Sequence, residues 1–314
     1  MPVFKIQHVT KYNYSRPVKE SVNQIRIYPV ASAQQEILQH DVTISSDPEP
    51  FFFIDYWGNR CADFSLLEAH SSLVIDSRVV VRTIGQETIP VVNSSREELL
   101  TFIENDFHLL ELSRPEEIKA TLALQQILDE LDCNHKTVMQ IVEACSGYIF
   151  SQFKYIKGIT NIETTVDEIL QHRSGVCQDF AHVLLQLLRT MGIPTRYVSG
   201  YICPNKNGMR GEGATHAWVE AYIPQLGWTG IDPTNNVWAT SHHVKLAVGR
   251  NFNDCSPVKG TFKGISRQTL SVYVSVGYED GHIFEEVNDV QMIITETAKE
   301  AERQMAEEAA QQQQ

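Results

Sequence analysis

The sequence predicts an α+β fold, in which a β-rich N-terminal domain precedes a core that combines helices with an antiparallel sheet. Three observations carry this prediction. Segments within residues 1–83 alternate between apolar and polar side chains, which is typical of half-buried strands. Between residues 96 and 191, apolar residues recur three and four positions apart, as they do on one face of a helix. The two-residue period returns after residue 195.

Length and composition indicate an ordered, acidic protein. With 314 residues, 42% hydrophobic and 21% charged, the chain has room for about two globular domains. The formal net charge is -13, whereas binders of nucleic-acid phosphates are basic, so we expect no nucleic-acid partner. No apolar run reaches the roughly 18 residues of a membrane span, and residues 1–14 lack the apolar core of a signal peptide. We therefore expect no membrane partner and a cytoplasmic location.

The first predicted domain, residues 1–90, resembles a small β-sandwich. Phe4, Ile6 and Tyr12 share one parity, and polar side chains occupy the other. Residues 55–60 have the composition of a hairpin turn between apolar runs. Several short strands separated by turn signals are typical of a sandwich.

The second predicted domain, residues 91–294, opens with helices. One is predicted to begin near Arg96 after a serine cap, and another at Pro115, because proline and acidic residues favour a first turn. A third is predicted over residues 135–153. The helix with the clearest pattern follows Cys177, and its apolar face contains Phe180, Val183, Leu184, Leu187, Leu188 and Met191.

Strands return in the C-terminal part of this domain. Three segments are predicted strands: 196–202, 216–223 and 227–232. The short connection between the last two favours a hairpin, and a final hairpin is predicted from residues 270–276 and 283–294. Residues 295–314 are rich in alanine, glutamate and glutamine, which indicates a frayed helix or a disordered tail.

Cys177 differs from the other five cysteines because a glycine-containing loop enters a helix there. The unpaired N–H groups and partial positive charge of a helix N-terminus stabilise a thiolate and can bind an oxyanion. Cys177 is therefore a candidate nucleophile, although most free thiols are packing residues. No cysteine belongs to a Cys-x-x-Cys pair, so no zinc or redox motif is indicated; we expect neither a metal nor a cofactor.

A nucleophilic cysteine needs a base and a group that orients the base. His216 opens a predicted strand, and Asp232 ends the strand that follows. If these strands form a hairpin, Asp232 can accept a proton from one ring nitrogen of His216 while the other faces Cys177. A strand-end histidine and a turn acid before Pro233 are each more ordinary explanations when taken alone. Their ordered combination with Cys177 favours a catalytic triad.

Three segments carry a family resemblance: Gly-Val-Cys-Gln-Asp-Phe-Ala-His at 175–182, Thr-His-Ala-Trp-Val-Glu at 215–220 and Gly-Trp-x-x-Ile-Asp-Pro-Thr-Asn at 227–235. In this order they resemble the bacterial transglutaminase-like family, which is described as a family of cysteine proteases. The resemblance implies a transglutaminase-like core of the papain-like cysteine peptidase superfamily. It also implies that Cys177 is the nucleophile, His216 the general base and Asp232 the orienting acid. Weaker matches within residues 1–81 resemble the β-rich N-terminal domain of this family.

The implied chemistry is attack of a thiol on an amide carbonyl, which gives a thioester acyl-enzyme. We expect hydrolysis of an amide or peptide bond in a protein or peptide substrate. Acyl transfer to an amine, as in a protein-glutamine transglutaminase, is one alternative, because the triad does not choose between water and an amine. A non-catalytic protein-binding module is another, and the intact triad argues against it. The sequence leaves the oligomeric state and the identity of the substrate open.

Other residues are candidates for supporting roles. Beside the N–H of Cys177, three side chains are candidate substrate or oxyanion contacts: Tyr155, Gln178 and Trp218. The adjacent residues Asn235 and Asn236 allow a papain-like Cys-His-Asn triad, but Asp232 is the preferred third member. His242 and His243 are adjacent but lack an acid or cysteine ligand set, so we expect surface histidines rather than metal ligands.

Overall fold

The structure is a computed structural model that describes residues 1–84, 88–160, 164–203, 209–210 and 215–278, and the backbone of residues 283–288. The predicted tail, residues 295–314, lies outside the described residues. In chain order, the strands and helices are β1 (Val3–Val18), β2 (Glu20–Ile25), β3 (Gln35–Ile44), β4 (Phe51–Ile54), β5 (Arg60–Leu66), β6 (His70–Thr83), α1 (Arg96–Ile103), α2 (Phe107–Leu112), α3 (Thr121–Leu131), α4 (Val138–Gln152), β7 (Lys154–Tyr155), α5 (Val166–His172), β8 (Ser174–Gly175), α6 (Cys177–Thr190), β9 (Thr195–Ile202), β10 (Thr215–Ile223), β11 (Gly227–Asp232), β12 (Val237–Trp238), β13 (His243–Gly249), α7 (Phe252–Cys255), β14 (Val258–Lys263), β15 (Gln268–Tyr278) and β16 (Ile283–Asn288). The prediction of an α+β fold is confirmed.

The N-terminal strands form a sandwich of two antiparallel sheets. One sheet has the order β16-β15-β1-β6-β3, and the other has the order β14-β2-β5-β4. Ile25 and Phe64 of the second sheet pack against Leu73 and Ile75 of the first, in a core that excludes water. The alternation of apolar residues seen in the sequence is what lets each strand bury one face.

The last strands of the chain complete this sandwich. β15 pairs antiparallel with β1, and β14 pairs antiparallel with β2. The structure therefore differs from a division into consecutive domains, 1–90 followed by 91–294, because residues 258–278 return to the N-terminal sheets. Local patterns cannot reveal such a return, since the pairing joins residues more than 200 positions apart.

A second sheet of five strands forms the centre of the molecule, with the order β12-β11-β10-β9-β13. Helices α4 and α6 pack on one side of it, where Ala217, Val219 and Ala221 of β10 join the helix side chains in the main hydrophobic core. Tyr201 of β9 and Val244 of β13 belong to a second hydrophobic core, in which they pack against β1 and β6 of the sandwich. We call this five-stranded sheet the central sheet.

The predicted helix at Pro115 is wrong, because the chain stays irregular until α3 begins at Thr121. Side chains from other elements occupy the backbone groups that a helix would use. Gln186 of α6 bonds the N–H and the carbonyl of Glu116 at 3.1 and 2.9 Å. Asp167 of α5 accepts from the N–H of Ala120 at 2.7 Å.

No helix among the described residues is long and apolar enough to cross a membrane.

Candidate active site

The chain places Cys177 at the first position of α6. Val176 precedes it in an extended conformation, and the Val176 N–H donates to Oδ2 of Asp179 at 2.7 Å. A Cβ on Gly175 would lie 2.5 Å from that oxygen, so this close turn requires glycine. The first intrahelical bond within α6 comes from the N–H of Phe180, which leaves the N–H of Cys177 at the helix terminus without a helical acceptor.

Cys177 is also the most accessible cysteine of the chain. It is half-buried, whereas the other five cysteines are free and buried. Burial raises the pKa of Cys61 to about 11 and holds that of Cys255 well above its ordinary value. Those buried thiols are packing groups, and only Cys177 combines access with a helix N-terminus.

His216 and Asp232 meet because β10 and β11 form the predicted hairpin. Val219 pairs with Ile231, which brings the start of β10 beside the end of β11. Nε2 of His216 lies 2.9 Å from Oδ2 of Asp232, and both side chains are fully buried. Nδ1 of His216 is buried and has no hydrogen-bond partner among the described residues. Cys177 is close enough for its charge to act on the ring, and because Asp232 occupies Nε2, Nδ1 is the nitrogen available to the thiol.

The electrostatics of the pair follow from its burial and its charge. Burial alone would lower the pKa of His216, but Asp232 and then Cys177 outweigh it and raise the pKa to about 10. Burial would likewise raise the pKa of Asp232, yet His216 and His243 hold it far below its ordinary range. Both shifts favour an imidazolium beside a carboxylate, and a positive ring stabilises negative charge on a nearby sulfur.

Asp232 has further donors that the sequence did not identify. Asn235 donates from Nδ2 to Oδ2 of Asp232 at 2.7 Å, and the N–H of Thr234 donates to Oδ1 at 2.9 Å. Asn235 also bonds the backbone of Arg210 in both directions. The alternative with Asn235 as the third triad member is not what the structure contains, because Asn235 reaches the carboxylate and not the ring of His216.

The expectation that His242 and His243 lie on the surface is wrong for His243. Its side chain is 2% exposed, and its Nε2 lies 3.4 Å from Oδ2 of Asp232. The reason is long-range: β13 returns antiparallel to β9 and pairs His243 with Ile202. His242 is half-buried. Among the described residues, no cluster of three or more His, Cys, Asp or Glu side chains is arranged to hold a metal ion.

The three candidate contact residues have different positions. Tyr155 pairs with Gly175 through the parallel strands β7 and β8, so it flanks the loop that leads to Cys177. Gln178 is half-buried in the first turn of α6. Trp218 is only 1% exposed and its ring lies nearly parallel to that of His216, with centroids 6.4 Å apart. Trp218 therefore packs against the ring of His216 and is not an exposed substrate contact.

A cavity of about 470 Å³ lies on the sandwich side of the central sheet. Trp218, Glu220, His243 and Lys245 of the sheet contribute to its wall, together with Gln35 of the sandwich. Cys177, His216 and Asp232 are not among the lining residues. The lining of this cavity therefore does not include the thiol at the N-terminus of α6.

Comparisons with known proteins agree with this arrangement. The family model of the transglutaminase-like superfamily matches residues 125–233, and that of the bacterial transglutaminase-like N-terminal region matches residues 4–82. The uncharacterized protein ML0607 of Mycobacterium leprae is 31% identical over 276 residues, which cover 87% of this chain and 97% of that protein. The chain therefore belongs to the transglutaminase-like superfamily, and the family resemblance of the sequence is confirmed.

Two further relatives have more specific names. The crystal structure of a "putative cysteine protease" from Cytophaga hutchinsonii has a TM-score of 0.69 at 22% identity, covering 93% of this chain and 96% of that one, which shows a shared fold. The protein-glutamine gamma-glutamyltransferase of Pseudomonas aeruginosa is 36% identical over 83 residues, covering 25% of this chain and 12% of that protein.

Proposed function

We propose that the protein is a transglutaminase-like cysteine peptidase or amidase that hydrolyses an amide or peptide bond through Cys177, His216 and Asp232. The buried contact of 2.9 Å between His216 and Asp232 carries this proposal. The other ring nitrogen is buried without a partner among the described residues, beside a half-buried thiol. Buried polar groups are normally hydrogen-bonded, so an open nitrogen in this position supports a general base that faces its nucleophile.

The reaction begins when Cys177 attacks the carbonyl carbon as a thiolate. A C–S bond forms, and the negative charge moves to the carbonyl oxygen. The N–H of Cys177 at the start of α6 donates to this oxyanion. His216, which Asp232 keeps positively charged, transfers its Nδ1 proton to the amide nitrogen, and the C–N bond breaks. The amine leaves, and the acyl group stays on sulfur as a thioester.

The second half of the reaction releases the acid. Nδ1 of His216, now neutral, takes a proton from water as the oxygen attacks the thioester carbon. The C–S bond breaks, the carboxylic acid leaves, and the thiolate and imidazolium are restored. Asp232 remains a carboxylate throughout and stabilises the charged ring each time it forms.

Acyl transfer to an amine is a second candidate, and one observation favours it. The segment shared with the Pseudomonas aeruginosa gamma-glutamyltransferase is 36% identical. In that case an amine replaces water in the second half of the reaction, and the same three residues perform both versions. A protein or peptide substrate is expected in either version, and the cytoplasmic location stays a prediction.

The first test follows the alkylation of Cys177 by iodoacetamide from pH 4 to 9, with peptide mass spectrometry. We expect the wild-type rate to change little between pH 6 and 8. In His216→Gln, which keeps an N–H donor for Asp232 but cannot hold the charge, the rate should fall about tenfold per pH unit below pH 8, as an ordinary thiol does. The other cysteines are buried, so free glutathione is the reference thiol.

The same pH profile in wild type and His216→Gln would overturn the proposal.

The second test separates the two versions of the reaction. Glutamine-containing peptides are incubated with the protein, with and without a biotinylated primary amine, and Cys177→Ala is the control. A hydrolase gives new termini or free acids in both samples, whereas a transferase attaches the amine. A biological activity that Cys177→Ala fully retains would indicate a binding module.

A further inference from the structure

A second histidine contacts the Asp232 carboxylate and has no part in the proton transfers described above. His243 begins β13, on the strand next to β9, and its side chain is buried. Its Nε2 lies 3.4 Å from the same Oδ2 atom that pairs with His216. One oxygen of Asp232 therefore contacts two imidazole rings: the ring of His216, on which Cys177 acts, and the ring of His243, which lines the cavity beside the sandwich.

A backbone contact favours one tautomer of a neutral His243 ring. The N–H of Thr240 points at Nδ1 of His243 over 3.4 Å, and the N–H of His243 donates to the carbonyl of Thr240 at 3.0 Å. Because a backbone N–H can only donate, Nδ1 must present its lone pair. The proton of the neutral ring is then on Nε2, and His243 offers an N–H to Asp232.

Trp218 limits the movement of both rings. It packs edge-on against His243, with centroids 5.1 Å apart, and nearly parallel to His216. A Cβ on Gly200 would lie 2.5 Å from the Trp218 ring, and one on Gly230 would lie 3.2 Å from its Nε1. These glycines on both neighbouring strands leave the space that the indole needs. The two histidines and Trp218 are thus packed as one unit around Asp232.

We propose that His243 is a positioning residue, which holds Oδ2 of Asp232 in line with Nε2 of His216 and thereby keeps Nδ1 of His216 directed at Cys177. This inference rests on the proposed function, since it gives His243 a role in that reaction. Asn235 and the backbone N–H of Thr234 also donate to this carboxylate, and His243 is a further donor to Oδ2. At 3.4 Å the contact is longer than an ordinary N–H···O bond, so its effect is smaller than that of His216.

The test uses two substitutions with matched shapes. His243→Phe keeps an aromatic ring against Trp218 but removes the N–H donor, whereas His243→Gln keeps a donor. His242→Phe is the control. It introduces the same phenylalanine ring at the preceding residue, while His243 and its contact with Asp232 stay in place. The probe is the rate at which iodoacetamide alkylates Cys177 at pH 6 in the full-length protein.

We expect His243→Phe to slow alkylation about fivefold, the loss of an ordinary hydrogen bond, because the contact is too long for the larger effect of a close bond to a charged group. His243→Gln should restore the rate to within about twofold of wild type, because an amide N–H can replace the imidazole N–H. His242→Phe should react like wild type. Equal slowing in the Phe and Gln variants, or no slowing in His243→Phe, overturns the inference.

Nitrogen-15 NMR of the histidine side chains gives a readout that does not depend on Cys177. In wild type, His243 must be the Nε2–H tautomer, and the Nε2–H signal of His216 must shift in His243→Phe but not in His242→Phe. An Nδ1–H tautomer overturns the inference even if a variant fails to fold. If wild-type Cys177 shows no dependence on His216, the proposed function fails instead, and the NMR result still decides whether His243 positions Asp232.

Discussion

Two buried carboxylates of the central sheet are neutralised in different ways. Glu220 of β10 is 4% exposed and pairs with Arg196 of β9 at 2.7 Å and with Lys245 of β13. Burial would raise the pKa of Glu220, but Lys245 and Arg196 hold it below its ordinary value. Asp232 is equally buried, yet its charged partner is the imidazole of His216.

The difference separates a structural ion pair from a reactive one. Arginine cannot release its proton under ordinary conditions, so Glu220 ties three neighbouring strands together permanently. An imidazole can gain and lose a proton during a reaction, so the pair of Asp232 and His216 can take part in chemistry. Strands β9, β10 and β13 therefore carry a fixed charge cluster, and the pair to which we assign proton transfer involves His216, four residues away on β10.

Asp232→Asn is expected to have the largest effect, and its comparison with Glu220→Gln shows which carboxylate affects the reactivity of Cys177. We expect alkylation of Cys177 at pH 6 to fall by about 100-fold or more, because a neutral amide cannot hold the imidazolium and disturbs its tautomer. Glu220→Gln, measured in the same assay, should stay within about threefold of wild type. Similar losses in both variants would show that the two carboxylates are not functionally different.

Glu220→Gln should instead affect stability. Removing one partner of a buried ion pair costs about 3 kcal/mol, and Arg196 and Lys245, with side chains only 21% and 14% exposed, would lose their counter-charge. Glu20→Gln is the matched control, since Glu20 and Lys263 form a pair with side chains 47% and 71% exposed, and such surface pairs contribute less than about 1 kcal/mol. Urea unfolding of both variants measures the difference, and equal losses would contradict the structural role of Glu220.

The two pairs should also differ in their dependence on pH. The folded pKa of His216 is raised above its unfolded value of about 6.5. Its stabilising contribution is therefore complete below that unfolded pKa and is lost as the pH rises toward the folded pKa. The free energy of unfolding lost in Asp232→Asn should be smaller at pH 9 than at pH 6, whereas the loss in Glu220→Gln should change little. A loss in Asp232→Asn that is equal at both values would exclude the imidazolium pair.

The smallest effect is expected from Asn235→Ala. It removes the hydrogen bond of 2.7 Å to Asp232 but leaves the N–H of Thr234 and both histidines in place. We expect Cys177 alkylation at pH 6 to slow about threefold, as for one of several hydrogen bonds to a carboxylate. Asn236→Ala is the control, since Asn236 bonds Ser146 of α4 and not Asp232. A loss as large as that of Asp232→Asn would assign Asn235 a greater role.

Local patterns were sufficient to predict the elements that hold the candidate site. The helix predicted to follow Cys177 is α6, because its apolar spacing and its glycine stop lie within one short segment. The hairpin that joins His216 to Asp232 has a connection of only three residues between its strands. In both cases the sequence neighbours are also the spatial neighbours, so periodicity and turn signals carry the information.

His243 and Asn235 could not be placed in the same way. The position of His243 depends on the pairing of β13 with β9. These strands are neighbours in the sheet, but β10, β11 and β12 lie between them in the chain. Asn235 reaches Asp232 through a turn in which the next residue, Asn236, has a φ of 52°, and no period predicts where that amide points. The failed helix at Pro115 has a similar cause, since Gln186 and Asp167 come from distant elements.

The return of β14 and β15 to the sandwich also determines when that sandwich can form during synthesis. β1 pairs with β6 and β15, and β2 pairs with β5 and β14. Until residues 258–278 have left the ribosome, β1 lacks β15 and β2 lacks β14, so each has an unpaired edge. Such edges promote association with other chains. Because β13 and α7 join the central sheet to β14, folding of the core brings the last strands back to the first. The strands β14 and β15, which follow the core in the chain, thus cover the open edges of the N-terminal sheets.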